Sequence, residues 1–304
     1  MGKLAFLFSG QGTQYEGMGR ELASCSSAAA SVFAQADSLR PGTSAECFEK
    51  SKAELSVTRV TQPTVFCVDL AAAEALRERG VEPDFAAGFS LGEVPALAFC
   101  GYMSREAAFG YVTRRGEVME RCAEERPGEM YAVVRLTSEQ VEEIASRFED
   151  TYPVNYNSAE QTVVACSAES AGELTAAVKE AGGRAMKLAV SGAFHSPFMD
   201  NASRELAAEF GEIEFAEPGI TCISNVTALP YTDETLMFCQ INSPVRWQRT
   251  IEYLVSQGVS TFVECGPGKV LTGLVKKISP DSLAINVENE ESLERALEVL
   301  ANAD

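Results

Sequence analysis

The sequence predicts an α/β protein in which a mostly parallel sheet is covered by helices on both faces and carries a smaller inserted unit. Two observations predict this fold class. Short apolar runs alternate with helical patterns of about 10 to 20 residues, as strands and helices do in parallel sheets. Between residues 128 and 191 that alternation stops, and the order of elements becomes βαββαβ.

The first strand of the larger body is the apolar run at residues 3–8, which ends at Ser9-Gly10-Gln11-Gly12, a sequence typical of a tight loop. The other predicted strands are shorter apolar runs, at 84–88, 220–224, 261–264 and 283–287. Helical periodicity predicts seven helices, at 63–79, 91–100, 104–125, 197–210, 245–256, 269–278 and 291–300. Each strand is followed by a helix, which is the connection that parallel strands require.

The inserted unit begins after Arg126-Pro127-Gly128. Its predicted elements are a strand at 129–136, a helix from Thr137, strands at 153–157 and 162–167, a helix at 172–181 and a strand at 184–190. Thr137 and Gln140 have the spacing of a capping box, which marks the start of a helix. Because βαββαβ is the order of a ferredoxin-like unit, we predict a larger body at 1–127 and 192–304 and a subdomain at 128–191.

Composition and charge exclude several classes of protein. A chain of 304 residues with 46% apolar and 23% charged content is neither disordered, collagen-like nor a disulfide miniprotein. Its 44 acidic and 25 basic residues give a net charge of -19, which argues against whole-surface binding to nucleic acid or anionic membranes but leaves a local basic patch open. No apolar run approaches the roughly 18 residues of a membrane span. We expect a cytoplasmic protein.

Cysteine and histidine restrict the possible chemistry further. The closest of the nine cysteines, Cys222 and Cys239, are 17 positions apart, so the sequence contains no thioredoxin-type pair and no paired-knuckle zinc motif. Buried, reduced thiols are the expected outcome. His195 is the single histidine, so a mechanism that needs an imidazole near neutral pH must use it.

The strongest local signal is Gly88-Phe89-Ser90-Leu91-Gly92, between a predicted strand and a predicted helix. A nucleophile elbow needs this context, since small flanking residues permit the strained turn that exposes a serine hydroxyl. The following helix start supplies N–H groups that can stabilise an oxyanion. The alternative interpretation is a plain turn between strand and helix.

His195 lies in a glycine-containing loop where the inserted unit ends and the body resumes. A lone histidine is often structural, but this position at a domain seam, together with an elbow serine, favours a general base. A hydrolase triad would need an acid between serine and histidine in the chain. The only aspartate there is Asp150, inside the inserted unit, so a complete triad is hard to assemble.

Two glycine-containing loops resemble nucleotide motifs without matching them. In Ser9-Gly10-Gln11-Gly12 the third glycine of a dinucleotide fingerprint falls at Tyr15, and Gly266-Pro267-Gly268-Lys269 lacks the spacing of a phosphate loop. Both loops can still bring backbone close to a ligand. Gln11 is therefore a candidate second oxyanion donor.

Arg115 falls on the apolar stripe of the helix predicted at 104–125, whereas Arg114 and Glu117 point to the other side. A buried arginine needs an anion, because a desolvated unpaired charge is costly. That anion is either a carboxylate of the protein or the carboxylate of a substrate, and periodicity does not decide between them.

Taken together, seven motifs resemble those of malonyl-CoA:acyl carrier protein transacylases, and the match spans essentially the whole chain. The motifs occur in the family's order: Gly10-Gln11-Gly12-Thr13-Gln14, Gly88-Phe89-Ser90-Leu91-Gly92-Glu93, Arg115-Gly116, Asn155-Tyr156-Asn157-Ser158, Gly192-Ala193-Phe194-His195-Ser196, Gln240 with Asn242-Ser243-Pro244-Val245-Arg246-Trp247, and Gly266-Pro267-Gly268-Lys269-Val270-Leu271. The resemblance implies an α/β-hydrolase-like core with a ferredoxin-like insert. Because both ends coincide with the catalytic unit, we expect the stand-alone enzyme of bacterial fatty-acid synthesis.

The resemblance also implies catalytic roles. Ser90 would be the nucleophile and His195 its general base, with the backbone N–H groups of Gln11 and Leu91 as the oxyanion hole. The main-chain carbonyl of Gln240 would orient the imidazole in place of a triad carboxylate. The implied reaction is ping-pong transfer of malonyl from malonyl-CoA to the phosphopantetheine thiol of an acyl carrier protein, without metal or redox cofactor.

Three residues would bind the substrate. Arg115 would hold the malonyl carboxylate, and Phe194 matches the aromatic residue of malonyl-selective members. Phe89 departs from the family, which usually has histidine there, and we interpret it as a side chain that closes the pocket against water.

An acidic carrier protein requires a local basic rim on this acidic enzyme. The candidates are the cations near the cleft loops, Arg184, Lys187, Arg246, Lys269, Lys276 and Lys277. We expect a monomer. The alternatives are an acyltransferase acting in trans in a polyketide pathway, a serine hydrolase or thioesterase on the same core, and a non-catalytic binding protein of the same fold.

Overall fold

A computed structural model describes residues 2–302. Its strands are β1 (Lys3–Phe8), β2 (Phe85–Gly88), β3 (Glu129–Val134), β4 (Thr151–Ser158), β5 (Gln161–Cys166), β6 (Arg184–Lys187), β7 (Thr221–Ile223), β8 (Val259–Cys265) and β9 (Leu283–Val287). Its α-helices are α1 (Arg20–Cys25), α2 (Ser27–Leu39), α3 (Thr43–Glu49), α4 (Lys52–Leu55), α5 (Thr58–Glu78), α6 (Glu93–Cys100), α7 (Arg105–Glu125), α8 (Ser138–Ala145), α9 (Ala171–Glu180), α10 (Asp200–Phe210), α11 (Thr235–Cys239), α12 (Trp247–Ser256), α13 (Val270–Ile278) and α14 (Glu290–Asn302).

The larger sheet is parallel throughout, with strand order β7-β2-β1-β8-β9. Along β1, Phe6 and Phe8 join a core that includes buried residues of α5, α6 and α7, whereas Leu7 joins a second core that includes α12 and α13. Both faces of the sheet are therefore covered, as predicted. Phe8 pairs with Gly88 on one side and with Cys265 on the other, so three strands end at one edge and their loops meet there.

The smaller sheet is antiparallel, with strand order β4-β5-β3-β6. One face packs on α8 and α9 through a core of its own that includes Val133 and Leu174. The opposite face contributes Met130 and Val163 to the core of the larger body. The protein is thus an α/β-hydrolase-like parallel core with an inserted ferredoxin-like βαββαβ unit, while the boundaries at 128 and 191 stay a prediction.

Backbone hydrogen bonds connect the larger body to the inserted unit at Val245 and β4. The N–H of Val245 donates to the carbonyl of Val154 at 2.8 Å, and the N–H of Tyr156 donates to the carbonyl of Val245 at 2.9 Å. One residue of the body therefore extends the edge of β4, which fixes one side of the inserted unit.

Several predicted bounds were wrong by a few residues. Helix α5 begins at Thr58, whereas the prediction begins it at Pro63, which lies inside the helix. The helix expected at 91–100 begins with a 3₁₀ turn at Ser90–Gly92 before α6, and the predicted strands 129–136 and 184–190 end at Val134 and Lys187. The capping box at the start of α8 is present, with Thr137 and Gln140 bonded reciprocally.

Helices α1 to α4 and α11 were not predicted. Four of these five helices have only four to seven residues, too few to show a period. Helix α2 has buried Ala29, Val32, Phe33 and Ala36 at helical spacing, a signal weakened in the sequence by surrounding serine and alanine.

All nine cysteines are free, and seven of them are buried as expected, whereas Cys25 is half-buried and Cys239 is exposed. Within residues 2–302, none of the helices combines the length and the apolar character needed to span a bilayer.

Candidate active site

Ser90 lies at a strained turn between β2 and α6, with φ at 54° in the left-handed region. The two glycines that flank it have no room for a side chain. A Cβ on Gly88 would lie 2.0 Å from the backbone of Gly92, and one on Gly92 would lie 2.2 Å from the carbonyl oxygen of Phe8. Their small size therefore permits the close approach of β1 and the turn, as a nucleophile elbow requires.

His195 completes a hydrogen-bonded pair with the serine. Its Nε2 lies 2.6 Å from Ser90 Oγ, and its Nδ1 lies 2.8 Å from the main-chain carbonyl of Gln240. A carbonyl only accepts, so Nδ1 carries the proton and the Nε2 lone pair faces the serine hydroxyl. The Gln240 carbonyl thus occupies the place of a triad carboxylate, while Asp150 lies elsewhere and pairs with Arg126 at 2.9 Å.

The environment keeps His195 neutral. The residue is buried, and burial followed by the charge of Arg115 lowers the pKa of its imidazole to about 4. At neutral pH the ring is therefore a free base with its acceptor nitrogen on Ser90. Its φ of 61° also lies in the left-handed region, so the loop is held in an unfavourable conformation to place the ring there.

Asn225 supports the elbow and was missed from the sequence. Its Oδ1 accepts from the N–H of Ser90 at 2.8 Å, and its Nδ2 donates to the carbonyl of Gly88 at 2.6 Å. One side chain therefore bonds the backbone on both sides of the nucleophile. The available signal was its position, since it follows β7 at the same edge of the sheet at which Ser90 follows β2.

Glu93, at the start of α6, forms hydrogen bonds with both Asn225 and the buried Tyr231. Its carboxyl accepts from the N–H of Asn225 at 2.5 Å and from the hydroxyl of Tyr231. Burial raises its pKa to about 8, although these bonds and the charge of Arg115 favour the ionised form. Burial thus outweighs the groups that favour the ionised form of the Glu93 carboxyl.

Arg115 is only 1% exposed, as its place on the apolar stripe predicts. Its Nη1 donates to Gln62 Oε1 at 2.8 Å and its Nη2 to Gln240 Oε1 at 3.0 Å, and Nη2 lies 3.5 Å from Ser90 Oγ. Among the residues described, amide and hydroxyl oxygens surround the guanidinium and no carboxylate forms an ion pair with it. Its charge is therefore oriented but not neutralised beside the nucleophile.

Arg114 provides the contrast on the same helix. Its guanidinium bonds Glu209 at 2.8 Å, Glu205 at 2.9 Å and Glu117 at 3.1 Å on the outer face of α7. The predicted division of the two arginines between inside and outside is confirmed.

A cavity of about 80 Å³ surrounds the Ser90 hydroxyl between the body and the inserted unit. Its lining residues come from both parts: Gln11, Gln62, Phe89, Ser90, Arg115, Met119, Met130, Asn155, Leu188, Val190, Phe194 and His195. A larger groove of about 530 Å³ lies beside Tyr15 and Phe48, but it contains neither member of the reactive pair. The small cavity fits a short acyl group with one charged end better than a long acyl chain.

The loop that carries Gln11 is braced internally. Thr13 Oγ1 donates to the carbonyl of Gly10 at 2.8 Å, and Gln14 Oε1 accepts from the N–H of Gly12 at 2.8 Å. Gln11 thereby lies in the wall of the cavity, which Ser90 also lines at the start of the 3₁₀ turn that contains Leu91.

Phe89 lines the cavity and connects two parts of its wall. Its ring lies edge-on to Trp247 at a centroid distance of 5.3 Å, and a Cβ on Gly10 would lie 3.0 Å from its Cδ1. The ring thus lies against the Gly10 backbone and lines the cavity beside Ser90.

Replacing Phe89 by histidine should raise hydrolysis of the acyl-serine about fivefold, the equivalent of 1 kcal/mol in the barrier, because the imidazole admits and bonds water. Decay of a preformed adduct without an acceptor thiol measures this rate. Phe89→Leu is the matched apolar control and should decay as the native protein does. An unchanged decay rate in Phe89→His would contradict the interpretation.

Comparisons with known proteins agree with this geometry. The family described as acyl transferase domain matches residues 5–293. The malonyl CoA-acyl carrier protein transacylase of Bacillus subtilis strain 168 is 36% identical over 310 residues, covering 99% of this chain and 98% of that protein.

Solved structures show the same likeness. A malonyl CoA-acyl carrier protein transacylase from Clostridium perfringens superposes with a TM-score of 0.95 at 35% identity, covering 99% of this chain and 98% of that one. A structure described as a type II PKS acyl-carrier protein in complex with its malonyl-transacylase gives a TM-score of 0.92 at 33% identity, covering 97% and 99%. The chain therefore belongs to the acyl transferase family and, within it, to the malonyl-CoA:acyl carrier protein transacylases.

Proposed function

We propose that this enzyme transfers malonyl from malonyl-CoA to the phosphopantetheine thiol of an acyl carrier protein, through a malonyl ester on Ser90, in fatty-acid biosynthesis. One observation carries the proposal. An oriented but un-neutralised arginine lies 3.5 Å from a serine hydroxyl that is itself 2.6 Å from a neutral histidine. A nucleophile beside a fixed positive charge suits an acyl group that carries a carboxylate.

In the first half-reaction His195 accepts the Ser90 proton as Oγ attacks the thioester carbonyl. The N–H groups of Gln11 and Leu91 would stabilise the oxyanion, and the Gln240 carbonyl would stabilise the imidazolium through Nδ1–H. As the C–S bond breaks, the imidazolium gives its proton to the departing thiolate of coenzyme A. The products are malonyl-O-Ser90 and free coenzyme A.

The second half-reaction is the first in reverse with a different thiol. The carrier's phosphopantetheine thiol gives its proton to His195 and attacks the ester, and the Ser90 alkoxide leaves and recovers that proton. Arg115 would hold the malonyl carboxylate throughout, which orients the ester for attack by thiol. Phe194 and Phe89 would pack against the acyl group and exclude water.

The proposed chemistry requires no metal or redox cofactor, because each half-reaction moves only an acyl group and a proton. One chain carries every group named in it, and we propose that it acts as a cytoplasmic monomer.

Mass spectrometry of the intact protein after addition of malonyl-, methylmalonyl- or acetyl-CoA tests the function. We expect a persistent malonyl adduct on Ser90 that disappears on addition of carrier protein, and no adduct in Ser90→Ala. Release of free malonate without carrier would indicate the hydrolase or thioesterase alternative. Absence of any adduct would indicate a binding protein and refute the proposal.

A role in a polyketide pathway is the second candidate, since one solved relative is described in complex with a type II PKS carrier protein. Transfer rates to a fatty-acid carrier and to a polyketide carrier, measured with the same malonyl-enzyme, distinguish the two pathways.

We further propose that a local basic rim contacts the carrier. Arg184, Lys269, Lys276 and Lys277 are exposed. Lys187 is also exposed but pairs with Glu129 at 2.5 Å, and Arg246 is half-buried with its Nε donating to the Val226 carbonyl, so these two offer less free charge.

Reversal of Lys276 and Lys277 to glutamate should raise the KM for carrier protein roughly tenfold, because steering by the rim is lost. Acylation by malonyl-CoA should stay unchanged. Lys179→Glu, exposed on α9, is the control for each single reversal, Lys276→Glu or Lys277→Glu, whose charge change it matches. A KM that responds equally to the control would show that net charge, rather than the rim, governs the encounter.

A further inference from the structure

Asp69 is a buried carboxyl that the proposed mechanism does not use. It lies on α5 and has no exposed surface, and among residues 2–302 neither of its oxygens has a hydrogen-bond partner. The N–H of Ser9 faces this carboxyl but donates to the carbonyl of Cys265 at 3.3 Å. An ionised carboxylate in such a place is costly, since no hydrogen bond or positive charge replaces its lost hydration.

The groups around Asp69 offer no compensating charge. Glu264 and Cys265 face it from β8, and Cys67 lies two positions before it on α5. Glu264 is itself occupied, since its two oxygens accept from the N–H groups of Leu271 at 3.0 Å and Thr272 at 2.7 Å. Burial and then Glu264 raise the pKa of Asp69 well above its ordinary value.

Asp69 lies beneath the loops that follow β1 and β8, at the edge of the parallel sheet where Ser90 also lies. We call the place where Ser9 and Gly266 of these loops meet the junction. Gly266 has φ at 124°, and a Cβ there would lie 1.8 Å from Asp69 Oδ1 and 2.8 Å from Ser9 Oγ. The carboxyl therefore touches the backbone of Gly266 directly. Any change in its charge acts first on Ser9 and Gly266.

Ser9 also packs closely against the nucleophile elbow, at Gly92. A Cβ on Gly92 would lie 2.5 Å from the carbonyl oxygen of Ser9, so the elbow is in contact with this segment. Gln11, whose N–H is the proposed second oxyanion donor, follows two residues later. The position of Ser9 between elbow and carboxyl thus sets the distance between the two proposed donors.

We infer that Asp69 is a positioning residue for the oxyanion hole: its neutral form fills the space beneath Ser9 and Gly266, and its ionisation displaces the loop that carries Gln11. This inference rests on the proposed function for its effect on rate. An ion formed at Asp69 draws in water or moves away from the Gly266 backbone that the carboxyl touches, and either change displaces Ser9 and Gly266 at the junction.

The test is a pH profile of serine acylation by malonyl-CoA in the native enzyme and in Asp69→Asn, which keeps the shape and stays neutral. We expect the native acylation rate to fall about tenfold or more at alkaline pH with little change in KM, part of the 10²–10³-fold that loss of one oxyanion donor costs. Asp69→Asn should match the native rate at neutral pH and lose this alkaline decline. Glu264→Gln, at the other buried carboxyl, should retain it.

A second readout does not depend on the acyl substrate. Trp247 is the single tryptophan, it is fully buried, and Phe89 connects it to the Gly10 backbone. Displacement of the loop should change Trp247 fluorescence over the same alkaline range in the native protein and not in Asp69→Asn. This result would stand even if malonyl were not the substrate.

Three outcomes would overturn the inference. An alkaline decline that persists in Asp69→Asn would assign it to another group. A loss of activity in Asp69→Asn at neutral pH would show that the ionised form is required. A native rate that depends on added Na⁺ or K⁺ and loses this dependence in Asp69→Asn would show a carboxylate with a bound cation instead.

Discussion

Replacement of His195 by asparagine is expected to reduce malonyl transfer roughly 10²–10⁴-fold, the usual contribution of a general base, while the protein stays folded. Asparagine tolerates the left-handed backbone that this position requires, with φ at 61°, better than alanine does. It offers no group that can take the Ser90 proton. The rate of adduct formation after rapid mixing with malonyl-CoA measures the loss, and circular dichroism verifies the fold.

Ser90→Ala combined with His195→Asn supplies the control, with overall malonyl transfer to carrier protein as the readout because Ser90→Ala forms no adduct. Because the two residues act as one unit, the double variant should be about as slow as the slower single variant. Losses that multiply would show independent roles and contradict the pair. A His195→Asn enzyme with a tenth or more of the native rate would contradict the role of general base outright.

The low pKa of His195 also fixes the pH dependence. With a pKa of about 4 against an ordinary 6.5, the folded state prefers the neutral ring. Activity of the free enzyme should therefore persist well below pH 6.5. The associated stability is present above pH 6.5 and is lost as the pH falls toward 4, because the unfolded chain then binds the proton more readily. Thermal unfolding of native enzyme and His195→Asn across this range measures the difference.

The parallel body could be predicted because its signals are local and long. Residues 3–8 and 283–287 form strands at the predicted bounds, and the helix predicted at 104–125 is α7, which begins one residue later with Ser104 as its N-cap. Short helices such as α3 and α4 pack against α5 and have too few residues to show a helical period in the sequence. The predicted start of α5 was wrong because proline usually occupies the first turn of a helix, whereas Pro63 lies inside α5.

The site divides in the same way. Ser90 and His195 could be identified because turn glycines and a unique histidine are visible in the sequence. The partners of Arg115 could not, since periodicity shows that a side chain is buried but not which oxygens meet it. The structure supplies the amides of Gln62 and Gln240, which come from α5 and from the 3₁₀ turn that follows α11. Asn225 likewise became visible only when strand order placed it next to Ser90.

Arg115→Ala should separate the two substrates. Loss of a buried charge-assisted contact costs about 3–4 kcal/mol, so malonyl transfer should fall about 10²–10³-fold. Acetyl transfer should change by less than about tenfold, because acetyl has no carboxylate to bind. Adduct formation with each coenzyme A thioester measures both rates. Arg114→Ala, whose side chain is ion-paired on the outside of the same helix, is the matched control and should leave both rates unchanged.

The charge of Arg115 also affects the basicity of His195, and for acetyl transfer this effect acts in the opposite direction to the loss of substrate binding. That charge is one cause of the lowered pKa of His195, so in the free enzyme the arginine weakens the base. A malonyl carboxylate that pairs with Arg115 removes the repulsion and strengthens the base only when the correct acyl group is bound. Acetyl cannot do so, whereas Arg115→Ala removes the repulsion for every substrate. Acetyl transfer should therefore hold or rise while malonyl transfer falls, and equal losses for both would refute the assignment of Arg115 to the malonyl carboxylate.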